Sequence, residues 1–342
     1  MTTVSTLGTY GDSSGSPLVF RNKIINGGFD IWQRGTSQTS SGYGSDDRWS
    51  NDNVGSTKTT SQQPFTVGQT DVPGNPTYFS RTVVSSVANA ANYVIKRHRI
   101  ESVSTLSGQL ATLSFWAKAD ATKNIAVEFR QNFGTGGSTE VDSLGITTVP
   151  LTSSWQRFTV TVSLPSISTK TVGTSNYLAI HFWFDAGSNY NARTNSLGQQ
   201  SGTFDIANVQ LEAGPVATPF EQRPIGMELA LCQRYLPAVV ATSGANANPW
   251  PAYTQSANIF RVVIPFKVST RAPVTSVTIS AASHFACSFN GGGQAVTAIS
   301  FAGGGTESAT LDFTVGSASL NLPGNGYSNN ASAKLLFEGA EL

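Results

Sequence analysis

Charge is scarce in this sequence: Lys, Arg, Asp and Glu make up 12% of 342 residues, about half the ~25% of an ordinary domain. The net charge of +1 supplies neither the basic stripe of a nucleic-acid binder nor a cationic surface for an anionic membrane, so neither partner is expected. Cysteine occurs twice, at Cys232 and Cys287. That is too few for a disulfide scaffold, and the spacing is not that of a zinc site. The two read as buried free thiols, with a bridge between them the alternative. No apolar run approaches the ~18 residues of a membrane span. The opening MTTVSTLGTYGDSSGS has neither the basic start nor the apolar core of a signal peptide, so a chain made and folded in a cytoplasm is expected.

Catalytic signatures are missing too. The three histidines (His98, His181, His284) stand in no HExxH frame, there is no GxSxG, and no glycine-rich run leads into GK[ST]. Glu128 and Asp185 can be named as a glycosidase-like carboxylate pair. With 20 acidic residues some such pair is always available, so the pairing carries little information. The long period of a β-helical depolymerase is absent. The expectation is a protein that is not an enzyme.

What remains is Gly (33), Ser and Thr among 39% hydrophobic and 10% aromatic residues. This is enough to bury a core, in a mixture that suits short strands and turns. Several segments alternate with a period of two. Leu113 and Phe115 oppose Ser114, Trp116 and Lys118. Ile125, Val127 and Phe129 oppose Ala126, Glu128 and Arg130. Phe158, Val160, Val162 and Leu164 alternate with Ser and Thr, and Leu178, Ile180, Phe182 and Phe184 alternate with Tyr177, Ala179, His181 and Trp183. Turn signals fall at Gly134 to Gly137, Pro150, Pro165 and Gly187 to Asn189. The basic run Lys96-Arg97-His98-Arg99 reads as a solvated strand face. Together these predict an all-β fold with a β-sandwich or jelly roll over about 20–212.

Residues 1–19 read as a flexible arm. Residues 213–237 read as a linker holding a short helix between Pro224 and Pro237, with Glu228 early and Arg234 late as the helix dipole favours. Residues 238–342 read as a smaller C-terminal β domain, in which Phe260, Val262, Ile264, Phe266 and Val268 alternate, as do Leu311, Phe313 and Val315. It is either a small sandwich or a region whose core identical neighbours complete.

Four segments, INGGFDIWQRG (25–35), LSFWAKA (113–119), TSSWQRFTVTVSLPSIS (152–168) and above all ANVQLEAGPVATPFEQRPIGMELALCQRYL (207–236), resemble a recurrent family of phage and prophage tail-fibre, spike and virion-decoration proteins. FKVSTRAPVT (266–275) and the terminal GAEL fit the same family. The resemblance implies a first domain similar to carbohydrate-binding modules of the galactose-binding-like jelly-roll type, a virion location and a homotrimer. It also implies a structural calcium between an acidic residue of the first strand, here Asp30, and one of the last. In that last strand, FDIANV, the usual acidic pair is replaced by Ala207-Asn208, which leaves Asp205.

Glycan contact needs flat apolar faces and hydrogen-bonding rims. The outward-alternating Trp116, Glu128, Arg130, Tyr177, His181 and Trp183 offer such a set, provided their strands are neighbours. In the alternative use, Trp116 and Trp183 are covered and simply pack. Trp32, Trp49 and Trp155 read as hydrophobic plugs. The expected function is host attachment by non-catalytic binding of host surface polysaccharide, with the N-terminal arm engaging other virion proteins. The alternative is a purely architectural capsid or tail decoration protein.

Overall fold

The computed structural model describes residues 20–241, 247–289, 292–317 and 322–342; the expected arm over 1–19 lies outside them. Two units meet between Pro224 and Ile225. In the first, the period-two segments become strands of two antiparallel sheets. The six-stranded sheet runs β1 (Ser37–Gln38), β3 (Thr57–Pro64), β4 (Tyr78–Ser85), β11 (Gly202–Ala213), β6 (Leu110–Ala119) and β9 (Gln156–Ser163). The five-stranded sheet runs β2 (Trp49–Val54), β5 (Tyr93–Glu101), β10 (Tyr177–Ala186), β7 (Lys123–Asn132) and β8 (Val141–Leu151).

The alternating apolar residues of both sheets share one core. Leu113, Phe115, Phe204 and Leu211 come from the first sheet, and Val127, Phe129, Ile180, Phe182 and Phe184 from the second. This is a jelly-roll β-sandwich, with a core built from the two inner faces. Pro150 is not a turn residue but lies inside β8. β8 is an edge strand, where a missing N–H costs no ladder bond.

The run at 96–99 does not share one face. Lys96 and His98 point inward and are 1% and 0% exposed, while Arg97 and Arg99 point outward. Lys96 pairs with Asp46 and hydrogen-bonds Asn51 at 2.6 Å. His98 lies against Trp49, ring centroids 4.8 Å apart, and accepts the Ile25 N–H at 2.9 Å. Trp49 is itself buried, donating Nε1–H to the Asn26 carbonyl. Trp32 packs partly buried against the same core, and Trp155 meets Phe65 tilted and Phe79 edge-on.

The longest family-like segment, 207–236, forms a clasp over its first part. Leu211 N–H donates to Asn22 Oδ1 at 3.0 Å, and Lys23 N–H donates to the Leu211 carbonyl at 2.8 Å. Glu221 accepts the Phe20 and Asn22 N–H groups at 2.5 and 2.8 Å, and Arg223 Nη1 donates to the Ile24 carbonyl. Gly27 sits under this clasp, where a Cβ would fall 2.1 Å from the Val209 carbonyl oxygen. Residues 213–224 therefore belong with the first unit rather than with a free linker.

The second unit opens with the expected helix, Ile225–Gln233. A seven-stranded sheet follows, in the order β17 (Gly292–Ala295), β16 (Phe285–Phe289), β20 (Pro323–Ser328), β13 (Ala247–Ser256), β14 (Ile259–Pro265), β19 (Ser308–Thr314), β18 (Ala298–Gly304). A second sheet has three strands, β12 (Ala238–Val240), β21 (Lys334–Glu338) and β15 (Ser276–Ile279). Phe260, Val262, Leu311 and Phe313 share a core with Leu335 and Phe337, which makes a small sandwich. Arg271 donates to the carbonyls of Ala340 and Glu341 at 2.9 and 2.7 Å, joining the FKVSTRAPVT and GAEL segments. Cys232 and Cys287 are buried and not joined in a disulfide, and burial pushes the Cys287 thiol up to about 12. No helix among the described residues is long and apolar enough to cross a membrane.

Candidate functional site

The outward face of the five-stranded sheet carries its side chains in ranks. Arg99, Ala179 and Arg130 stand in one rank; Arg97, His181 and Glu128 in the next; Ile95, Trp183 and Ala126 in the third. Five of the six predicted glycan residues are thus brought together: Glu128, Arg130, Tyr177, His181 and Trp183. Trp116 is not with them, because it lies on β6 of the other sheet, opposite Ala207 and Arg157.

The five are not equivalent. Glu128, His181 and Trp183 are 0%, 2% and 2% exposed, whereas Arg130 and Tyr177 keep some exposure. The cover is the segment after β10, with a 3₁₀ turn at Ser188–Tyr190 and a single helical turn, α1 (Asn191–Thr194). Its path is set at Gly187, whose N–H donates to the Asn92 carbonyl at 2.8 Å; a Cβ there would sit 2.4 Å from the carbonyl oxygens of Asn89 and Ala90. Tyr190 then lies over Trp183, ring centroids 5.2 Å apart. Tyr93 completes the cluster at 5.8 Å from Trp183 and 5.2 Å from Tyr190.

Glu128 is the hub. It accepts hydrogen bonds from His181 Nδ1 (3.0 Å), Trp183 Nε1 (3.0 Å) and the Ser143 N–H (2.9 Å). Arg193 closes the set with Nε at 2.8 Å and Nη2 at 2.9 Å, while its guanidinium carbon stands 5.1 Å from the Trp183 ring centroid. The Ser143 N–H is free for this because β8 carries an extra residue on either side of the Phe129–Leu144 pair, with Ser143 and Gly145 at φ 60° and 58°. Burial raises the Glu128 pKa, but the hydrogen bonds from His181 and Arg193 outweigh it and hold the carboxyl at about 2. Burial depresses His181 to about 4 against the opposing pull of Glu128, so the ring is neutral near pH 7.

Above this hub is a recess of about 220 Å³, lined by Tyr93, Ile95, Arg97 and Arg130 with His181, Trp183, Tyr190 and Arg193. Arg97 pairs with Asp52, its Nε at 2.9 Å, and Arg130 pairs with Glu140. Sequence reasoning missed Tyr93, Arg97, Tyr190 and Arg193. Alternation around Lys96 held the signal for the first two; a four-residue helical turn in a loop gives no periodic signal for the others.

The pair proposed for calcium does not fit a hard cation, which needs several oxygens. Asp205 accepts Arg81 Nε and Nη2, each at 2.8 Å, with Lys118 Nζ at 3.8 Å, and Asp30 is exposed. Among the described residues no three His, Cys, Asp or Glu side chains converge as a metal site.

No protein-family model matches the chain. No curated protein matches it. Three solved structures with some similarity are a CBM4 module, the family 11 carbohydrate-binding module from Clostridium thermocellum in complex with a β-1,3-1,4-mixed-linked tetrasaccharide, and the enzymatically active domain of Bacteriophage CBA120 tailspike protein 4. The CBM4 module is 17% identical over 56% of this chain and 99% of that chain, TM-score 0.32. The family 11 module is 12% identical over 54% and 98%, TM-score 0.32. The tailspike domain is 14% identical over 57% of this chain, TM-score 0.33, and the match spans 22% of its length.

Proposed function

We propose that the first unit is a non-catalytic glycan-binding module of a phage or prophage virion appendage, a fibre, spike or decoration protein, and that the recess on its five-stranded sheet is the binding site. The observation that carries this is the lining of one recess by three aromatic rings and three guanidinium groups, over a buried carboxylate that holds Trp183 and Arg193. Aromatic rings meet the C–H face of a pyranose, and guanidinium N–H groups donate to its oxygens. Because Glu128 fixes His181, Trp183 and Arg193 together, little side-chain freedom is lost when a ligand enters.

Glu128 stays ionised far below neutral pH, so it holds no proton to give a leaving group, which a glycosidase acid must do. Both its oxygens are also engaged by Ser143, His181, Trp183 and Arg193, so it is no free nucleophile either, and the arrangement supports binding. About 220 Å³ is below the ~300–1,000 Å³ of drug-sized ligand pockets, which suits one sugar residue and weak single-site affinity. A homotrimeric appendage would multiply such a site into useful avidity, with residues 1–19 as the anchor to other virion proteins. The family-like segments at 25–35 and 207–236 support the virion setting.

A second reading is architectural, a capsid or tail decoration protein that binds no sugar. The burial of Trp183 and Glu128 beneath their own loop favours it, since the same cluster also serves to pin residues 187–198. The two readings part on a glycan array probed with the purified full chain, alongside extracted bacterial surface polysaccharides. Binding to a defined subset of structures supports the module; an assembled oligomer that binds none of them sinks it in favour of the architectural reading.

A further inference from the structure

We propose that the recess selects an anionic sugar, one bearing a carboxylate, over neutral saccharides; this rests on the glycan-binding reading of the same site. The charged groups of its lining are all arginines: Arg97, Arg130 and Arg193. The acids that balance two of them are set behind the lining, Asp52 at 12% side-chain exposure and Glu128 at 0%. A neutral sugar presents hydroxyls, each of which donates as well as accepts, and sites for such sugars need acceptors to match. Guanidinium groups only donate. Trp183 Nε1 and His181 Nδ1 are already spent on Glu128. The charged donors left to a ligand are therefore the guanidinium groups, while the lining's acceptors are all neutral, the Tyr93 and Tyr190 hydroxyls and the unprotonated His181 nitrogen, a balance that matches a charged group that only accepts.

Arg130 is the group with capacity left. Its charge partner, Glu140, is 37% exposed just before β8, and the Arg130 Nε is buried without a hydrogen-bond partner. Glu140 occupies the guanidinium as a ligand carboxylate would. A saccharide carboxylate displaces it, meets the arginine fork in a two-point hydrogen bond, and lays its ring towards Tyr93 and Tyr190. Arg99 stands in the same rank as Arg130, across Ala179, and adds to the cationic field at that end.

The test uses the full chain against a panel of polyuronates and bacterial capsular polysaccharides. Each is presented native and after chemical reduction of its carboxyl groups, with dextran sulfate as the sulfate-ester arm. The expected result is binding to carboxylated polymers that falls about 10-fold or more on carboxyl reduction, that weakens with salt, and that is similarly lost in Arg130→Gln. Glu140→Gln, which frees Arg130, should tighten binding several-fold, and melting curves of both variants report whether the fold is intact. Equal binding to native and reduced polymers overturns the inference while leaving the glycan reading standing. Equal or tighter binding to dextran sulfate overturns the carboxylate assignment. Tighter uronate binding absent from Glu140→Gln removes Arg130 from the account, and no binding to any polymer overturns the glycan reading itself.

Discussion

Arg193 closes on both carboxylate oxygens of Glu128, at 2.8 and 2.9 Å, and so ties the loop after β10 to the strand beside it. Glu128 is wholly buried and Arg193 is 22% exposed, so the pair is held largely out of water. Removing one partner of a buried pair strands the other's charge, at a cost of about 3–5 kcal/mol. Glu128→Gln should therefore lower the stability of the first unit by an amount of that order. The double variant with Arg193→Met should cost less than the two single changes added. Urea unfolding of the three variants checks this, and simple additivity would deny the coupling.

Acid should loosen the site, and the sign follows from the two depressed pKa values. Unfolded, His181 takes a proton near 6.5; folded, only near 4. Its contribution to stability is whole above about 6.5 and is lost as pH falls towards 4. Glu128, at about 2 in the fold against 4.5 ordinarily, adds a second loss below about 4.5. His98, also depressed by burial, acts in the same direction as His181. The melting temperature should fall between pH 6.5 and 4, and His181→Gln, which keeps His98 and Glu128, should show a shallower slope. Identical slopes would mean that His181 protonates freely in the folded state.

Gly187 is required for space rather than for an unusual backbone angle. A methyl there would meet two carbonyl oxygens at 2.4 Å, so Gly187→Ala must shift the loop that carries Tyr190 and Arg193. Overpacking of this kind costs about 1–3 kcal/mol. Faster hydrogen exchange over residues 188–197 is the expected readout, and unchanged exchange would show that the loop absorbs the methyl without moving.

Calcium should not stabilise the first unit, because both oxygens of the Asp205 carboxylate already accept from Arg81, through Nε and Nη2. Melting curves with millimolar calcium and with a chelator should coincide, while Asp205→Asn should lower the melting temperature in both. A rise of several degrees with calcium would restore Asp30 and Asp205 as metal ligands.

The strands were legible because burial of one face writes a period of two. Leu178, Ile180, Phe182 and Phe184 all enter the core at 0–1% exposure, as their alternation requires. The same rule separates Arg97 and Arg99 from Lys96 and His98, although four consecutive basic residues look like one patch. Alternation also placed Glu128, His181 and Trp183 on the outward face, but it could not say that this face is roofed. The roof comes from Tyr190 and Arg193, brought over the sheet by a turn at Gly187 whose purpose is clear only once Asn89 and Ala90 lie beside it. Trp116 shows the converse limit: facing outward does not say which sheet a residue belongs to.

The central claim, that the recess is where a glycan sits, is tested most directly by the affinity of Tyr190→Ala for a saccharide that the wild-type chain binds. Tyr190 is partly exposed and its hydroxyl donates to the Ala91 carbonyl rather than to Glu128, so its loss leaves the hydrogen bonds of the hub in place, and a melting curve reports what the lost packing on Trp183 and Tyr93 costs the fold. The account predicts a loss of binding of about 10-fold or more, as for an aromatic contact worth roughly 1.5 kcal/mol. Undiminished binding by a folded Tyr190→Ala variant would contradict it and place the sugar elsewhere on the protein.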